Sequence, residues 1–116
     1  MDNWADIYAY YTFNHIEPPV NKKFIHVCDS PDDIRIYTSP WVANANIIKT
    51  LGVLSLTLEG DYSIDEGLEK VEYECKQNAF YMGANAITNF TCDIYLWDTP
   101  RTFRAGGARC ILQFSS

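Results

Sequence analysis

Basic residues are scarce in this chain of 116 residues, with nine Lys and Arg against fifteen Asp and Glu. The formal net charge is −6 and the pI is near 4.7. Phosphate backbones and anionic membrane surfaces are both bound by clustered cations, so this balance argues against nucleic acid and against a membrane as partner. No apolar run approaches the roughly twenty residues that a membrane-spanning helix needs. The polar Met1-Asp2-Asn3 start has none of the regions of a secretion signal, and the expected compartment is the cytoplasm. Histidine is rarer still. His15 and His26 are the only two, and no Gly-x-Ser-x-Gly or phosphate-loop pattern is present, so catalysis is not expected. Cysteine is limited to positions 28, 75, 92 and 110, with no Cys-x-x-Cys spacing, which predicts free thiols. Internal repeats and low-complexity segments are absent.

What is present centres on residues 63–96. Ser63-Ile64-Asp65-Glu66 is a capping box: the Ser63 hydroxyl can accept from the amide three residues on, and Glu66 can reach back. Ile64, Leu68, Val71, Cys75, Ala79 and Met82 then fall on one helical stripe. Burying the larger of these contributes about 1.5–3 kcal/mol each. Gly83 supplies the left-handed residue that lets the chain leave the helix. Tyr73 and Phe80 lie on the opposite side of the helical wheel, where a monomer normally places charge.

After the Gly83-Ala84-Asn85-Ala86 corner the pattern changes to period two. Ala86, Thr88, Phe90, Cys92, Ile94 and Leu96 share one strand face, and Asp98-Thr99-Pro100-Arg101 makes a turn. The chain returns over residues 103–114, with Ala108, Cys110, Leu112 and Phe114 on one face expected to receive the helix. Gly106-Gly107 marks a bulge or a close backbone approach.

Upstream, residues 47–58 form a strand that is apolar on both faces, which predicts cover on both. Residues 24–28 and 34–38 read as two short strands of a small hairpin around Ser30-Pro31-Asp32-Asp33. The first twenty residues are aromatic-rich, and a short helix over 4–13 stopped by Pro18-Pro19 is the expectation. The chain is long enough for one domain with a sizeable core. The predicted fold class is α+β: a two-layer β-α-β-β unit over residues 47–116, with one helix on an antiparallel sheet. Residues 1–46 are an extension packed on that core.

The stretch from Leu51-Gly52-Val53 through Met82-Gly83-Ala84-Asn85-Ala86-Ile87 to Gly106-Gly107-Ala108-Arg109-Cys110 resembles the YbjQ-like family. The resemblance covers roughly residues 47–114, and its most specific part is the Met-Gly-Ala-Asn-Ala-Ile junction. That family carries a heavy-metal-binding label without an established biochemical function. The resemblance implies a dodecin-like β-α-β-β unit assembled into a ring-shaped pentamer. Residues 1–46 are longer and more aromatic than a minimal member would have.

Two functional readings remain open. The first is a non-enzymatic, ring-forming binding module that is its own main partner, with Tyr73 and Phe80 buried between subunits. Cyclic symmetry lets one patch meet a different patch on the neighbour, which suits two unlike surfaces. The second is a soft-metal protein. Cys92 and Cys110 share the predicted inner hairpin face and Cys75 lies on the helix stripe above it, so three thiols can converge on one metal ion. Against that, buried Cys behaves as a small hydrophobe. Asp93 and Arg109, on one hairpin face, are expected to form a cross-strand ion pair. Asp61, Asp65 and Glu66 lack the spacing of a calcium loop and serve the helix N-terminus.

Overall fold

The helix begins where the capping residues place it. In the computed structural model, which describes residues 22–97 and 100–115, helix α1 runs Ile64–Tyr81. The Ser63 hydroxyl accepts from the Glu66 amide at 3.2 Å, and Asp65 and Glu66 sit in the first turn. The helix gives way at Met82, and Gly83 takes φ +84°, the left-handed conformation expected of it. The predicted helix over 4–13 and the turn residues 98–99 lie outside the described residues.

The core stripe of α1 is Gly67, Val71, Cys75 and Ala79. Ile64 and Met82, counted on that stripe from the sequence, are exposed at the two ends. Gly67 takes the place expected for Ile64 because the Phe103 ring lies against its backbone, where any Cβ would collide with it. Helix propensity is given up there for close helix–sheet contact. Phe80 also departs from expectation. It is half-buried against the main core cluster, because the short 3-10 turn Pro31–Asp33 and the buried Ile34 flank the helix and widen the face it buries.

Five strands make one mixed sheet: β1 (Lys23–Ile25), β2 (Arg35–Ile36), β3 (Ala45–Gly60), β4 (Ala86–Tyr95) and β5 (Arg101–Ser115). With α1 this is an α+β fold. β5 is the central strand. Along one edge it pairs antiparallel with β3, from Ala45↔Phe114 to Gly60↔Arg101. Its other edge is shared end to end, β4 covering Thr102 to Cys110 and β1 covering Gln113 to Ser115. The expected hairpin between residues 24–28 and 34–38 is therefore corrected. β1 pairs with β5, and β2 runs parallel to the start of β4, so the sheet is mixed rather than antiparallel. Both short strands find longer partners than each other.

Bulges decide the faces. β4 carries one extra residue between Thr88↔Ala108 and Thr91↔Gly106, at Asn89, whose φ is +54°. β3 carries one between Thr50↔Cys110 and Val53↔Ala108, where Gly52 has φ +89°. Both lie beside the Gly106-Gly107 stretch of β5, which is the close backbone approach. A Cβ on Gly107 would stand 2.6 Å from Ile87 Cγ2 and 3.0 Å from the Thr88 carbonyl. One extra residue reverses the in–out parity of everything beyond it. Ile87, Phe90, Cys92 and Ile94 therefore face the helix, with Leu54, Leu58, Phe103 and Ala105. Ala86, Cys110, Leu112 and Phe114 form a second cluster on the opposite face, packed against Tyr37, Val42 and Ala45. The expected inner face Ala86–Thr88–Cys110–Leu112–Phe114 is thus an outer one.

Cover is diagonal as a result. An 18-residue helix is about 27 Å long, whereas the 15 residues of β5 span about 50 Å. α1 covers the helix face beside Phe103 and Ala105, and residues 37–45 cover the opposite face beside Cys110 to Phe114. Among the described residues two half-faces stay bare, and each forms a concavity. Cover on both faces of β3, expected from its apolar pattern, is not complete among the described residues. Ile47 and Ile48 are about half exposed and Val53 is 78% exposed.

Candidate functional site

The junction where β1, β4 and the helix exit meet is built on Asn85. The residue is only 5% exposed, and its carboxamide stands in for a strand residue beside β5. Its Oδ1 accepts from the Leu112 amide at 2.8 Å, and its Nδ2 donates to the Leu112 carbonyl at 3.0 Å. The same Nδ2 donates to the His26 carbonyl at 3.1 Å, tying the chain after β1 to the corner. Its main chain is committed too: Asn85 N donates to the Cys110 carbonyl, and its carbonyl accepts from the Arg35 amide. Every polar group of this buried residue has a partner. In the sequence Asn85 reads only as part of a tight corner. A lone amide between a helix stop and a strand start was the available signal.

Beside Asn85 lies the apolar concavity, about 330 Å³ in volume, on the helix face just past the helix C-terminus. Ile25, Val27, Ile48, Phe80 and Ile111 line it together with His26 and Cys28. Val27 is 73% exposed, and Ile25 and Ile48 are nearly half exposed. The polar groups here are already engaged. His26 Nε2 lies 2.9 Å from the Asp33 carbonyl, and the Asp33 carboxylate accepts from the amides of Asp29 and Ser30. The second concavity, about 400 Å³, is on the opposite face and is floored by small and polar residues, among them Ser55, Thr91, Gly106 and Ala108, with Val53 at its side.

The three cysteines proposed for a metal do not come together. Cys75 and Cys92 belong to the helix-side cluster, while Cys110 is buried on the opposite face of the sheet. The Asn89 bulge and the parity of β5 separate them. Among the described residues, no three of His, Cys, Asp and Glu form a metal-holding group. All four cysteines are free, and burial raises each thiol. Cys75 is pushed up to about 11, by burial first and then by the neighbouring Cys92, Glu74 and Glu72. For Cys28, the Asp33 and Asp29 carboxylates add to burial while Arg35 opposes them. Thiols held neutral in this way behave as small hydrophobes.

Of the two residues assigned to a self-contact, Tyr73 is 50% exposed, its hydroxyl accepting from Gln77 Nε2 at 2.9 Å. Phe80 lines the apolar concavity instead, with Tyr81 edge-on to it at 5.4 Å between centroids. Asp93 and Arg109 are not paired. Asp93 lies opposite Arg104 in the register, and Arg109 donates to the Leu51 carbonyl and to Asn78 Oδ1, linking β5 to β3 and the helix.

No family model matches the chain, and no curated protein matches it. Among solved structures it is similar to a protein of unknown function from Pediococcus pentosaceus, assigned to the DUF74 family, which is the YbjQ-like family. That likeness has 13% identity and a TM-score of 0.49, covering 68% of this chain and 95% of the other. It is a distant structural neighbour.

Proposed function

We propose that the chain is a non-enzymatic binding module that assembles with copies of itself into a closed ring, a pentamer by the YbjQ-like resemblance, with ligands held in clefts between subunits. The assembling unit in this reading is the two-layer stretch β3–α1–β4–β5. One observation carries it. β3 is sixteen residues long and, among the described residues, pairs along one edge only, with Val53 and Ile47 exposed beside the free edge. A long strand edge with exposed aliphatic side chains is a ready template for another chain, and monomeric proteins blunt such edges. Tyr73 and the bare concavity around Val53 are two unlike surfaces, which cyclic rather than two-fold pairing satisfies. Phe80, half-buried beside the helix exit, is a lesser part of that contact than Tyr73. The engaged polar groups around Asn85 and the neutral thiols favour shape recognition over chemistry.

Light scattering of the intact chain tests the reading. A concentration-stable oligomer is expected, and Val53→Lys with Tyr73→Lys is expected to dissociate it while leaving the far-ultraviolet spectrum intact, both positions being exposed. A folded monomer in the intact chain refutes the assembly. An unchanged oligomer in the double variant refutes the interface.

A further inference from the structure

The central strand β5 is flanked on both sides, and among the described residues each flank ends in an unpaired edge. β3 pairs with β5 alone. β4 is covered only at its start, where β2 runs parallel to Ala86 and Ile87. The chain after β2 continues that cover, Phe90 N donating to the Tyr37 carbonyl and Asn89 N to the Ser39 carbonyl. From Thr91 to Tyr95 no described strand pairs with the outer edge of β4. Each copy therefore presents two edges of unlike sequence, and an unpaired edge is a template for another strand.

The two edges match. Across β5 they lie level: Thr91 and Ser55 both pair with Gly106, Asp93 and Thr57 with Arg104, and Tyr95 and Glu59 with Thr102. Their faces agree as well. Leu56, Cys92 and Ile94 are partly buried against the helix-side cluster, while Ser55, Thr57, Thr91 and Asp93 alternate with them and are exposed. From Val53 to Leu58 the β3 edge carries no charged residue to repel a neighbour. Strand sense follows from topology. β3 and β4 are each antiparallel to β5, so they run the same way. Rotation about a ring axis along the strands preserves that sense, so a neighbour's β3 brought beside β4 runs parallel to it. A two-fold axis would instead pair β3 with β3, antiparallel, and leave both β4 edges bare. We infer that Thr91–Tyr95 receives the β3 edge of a second copy in parallel, joining the sheets of successive copies side by side. The inference rests on the ring reading and adds to it which edge receives β3, and in which sense.

Blocking one edge at a time and then mixing tests it on the full-length chain. Adjacent amides of a strand point to opposite edges, so one of Ser55→Pro and Leu56→Pro removes an outward donor from β3. One of Cys92→Pro and Asp93→Pro does the same for β4. From each pair the variant that keeps the parent's far-ultraviolet spectrum is used. By light scattering each blocked variant alone is expected to be monomeric. An equimolar mixture is expected to reach about twice that mass, because one intact β3 edge meets one intact β4 edge and assembly stops there. Residue-resolved hydrogen exchange on the parent is the second readout, independent of any variant. Every amide from Thr91 to Tyr95 is expected to be protected, whereas a bare edge leaves alternate ones open. Open alternate amides in the parent, a β4-blocked variant of parental mass, or a mixture no heavier than its components overturns the edge pairing. With an oligomeric parent, any of these results leaves the ring reading standing. A monomeric parent overturns both.

Discussion

Asn85→Ala removes three hydrogen bonds at one stroke. The amide and carbonyl of Leu112 lose the side chain that pairs with them in the gap between β1 and β4, and the His26 carbonyl loses its donor. Each bond contributes about 1 kcal/mol net, but a buried backbone group left without a partner costs about 1–3 kcal/mol. Because Leu112 is almost wholly buried, water cannot replace the lost partners without opening the second cluster. The expected loss is about 3–5 kcal/mol, a large share of the 5–15 kcal/mol typical of a domain. Urea unfolding, with the midpoint compared at a common slope, measures it. Asn85→Asp gives an independent check. The carboxylate still accepts from the Leu112 amide but faces the carbonyls of Leu112 and His26 with nothing to donate. Burial beside two carbonyl oxygens raises the folded-state pKa of such an acid above the unfolded value near 3.9. Stability is then lost as pH rises above that value, so the deficit of Asn85→Asp is greatest at neutral pH and narrows toward pH 4. A loss below about 1 kcal/mol for the alanine variant, or a pH-independent deficit for the aspartate, would refute the pivot.

Two further outcomes are expected. Gly83 has φ +84° and open space around it, so Gly83→Val is penalised through the backbone alone, by about 1–3 kcal/mol, with Gly83→Ala losing less. An unchanged thermal midpoint in the valine variant would show the corner to be misassigned. The buried Cys75 thiol gives the protein an alkaline limit: its folded value of about 11 lies above the ordinary 9.0, so the unfolded chain ionises first. Stability therefore falls as pH rises through 9 toward 11, by about 3 kcal/mol at most from this group, and the slope flattens in Cys75→Ala. Equal slopes in parent and variant would refute that assignment.

The helix was legible because its signals are local. Ser63, Glu66 and Gly83 act within a turn of their own positions, and the Val71–Cys75–Ala79 spacing needs no partner to be read. The strands of the Ala86–Phe114 hairpin were legible as strands, since alternation is also local. Their faces were not. Counting in twos places Thr88, Cys110 and Leu112 inward; one inserted residue at Asn89 turns Thr88 outward, and the regular alternation of β5 from the helix-facing Phe103 and Ala105 turns Cys110 and Leu112 outward. A bulge is a property of two paired strands, and the partner across from Asn89 is a glycine pair nearly twenty residues away in sequence. The alternation of β5 likewise separates Cys110 from Cys75 and Cys92, so the three-thiol site does not form. β1 and β2 read as neighbours because they are close in sequence, yet each pairs with a distant strand that offers a longer ladder. Asn85 shows the limit most sharply. The chain itself determines that an amide follows the helix stop. That this amide completes a sheet is decided only by the end-to-end meeting of β1 and β4 beside β5, which leaves one gap of its size.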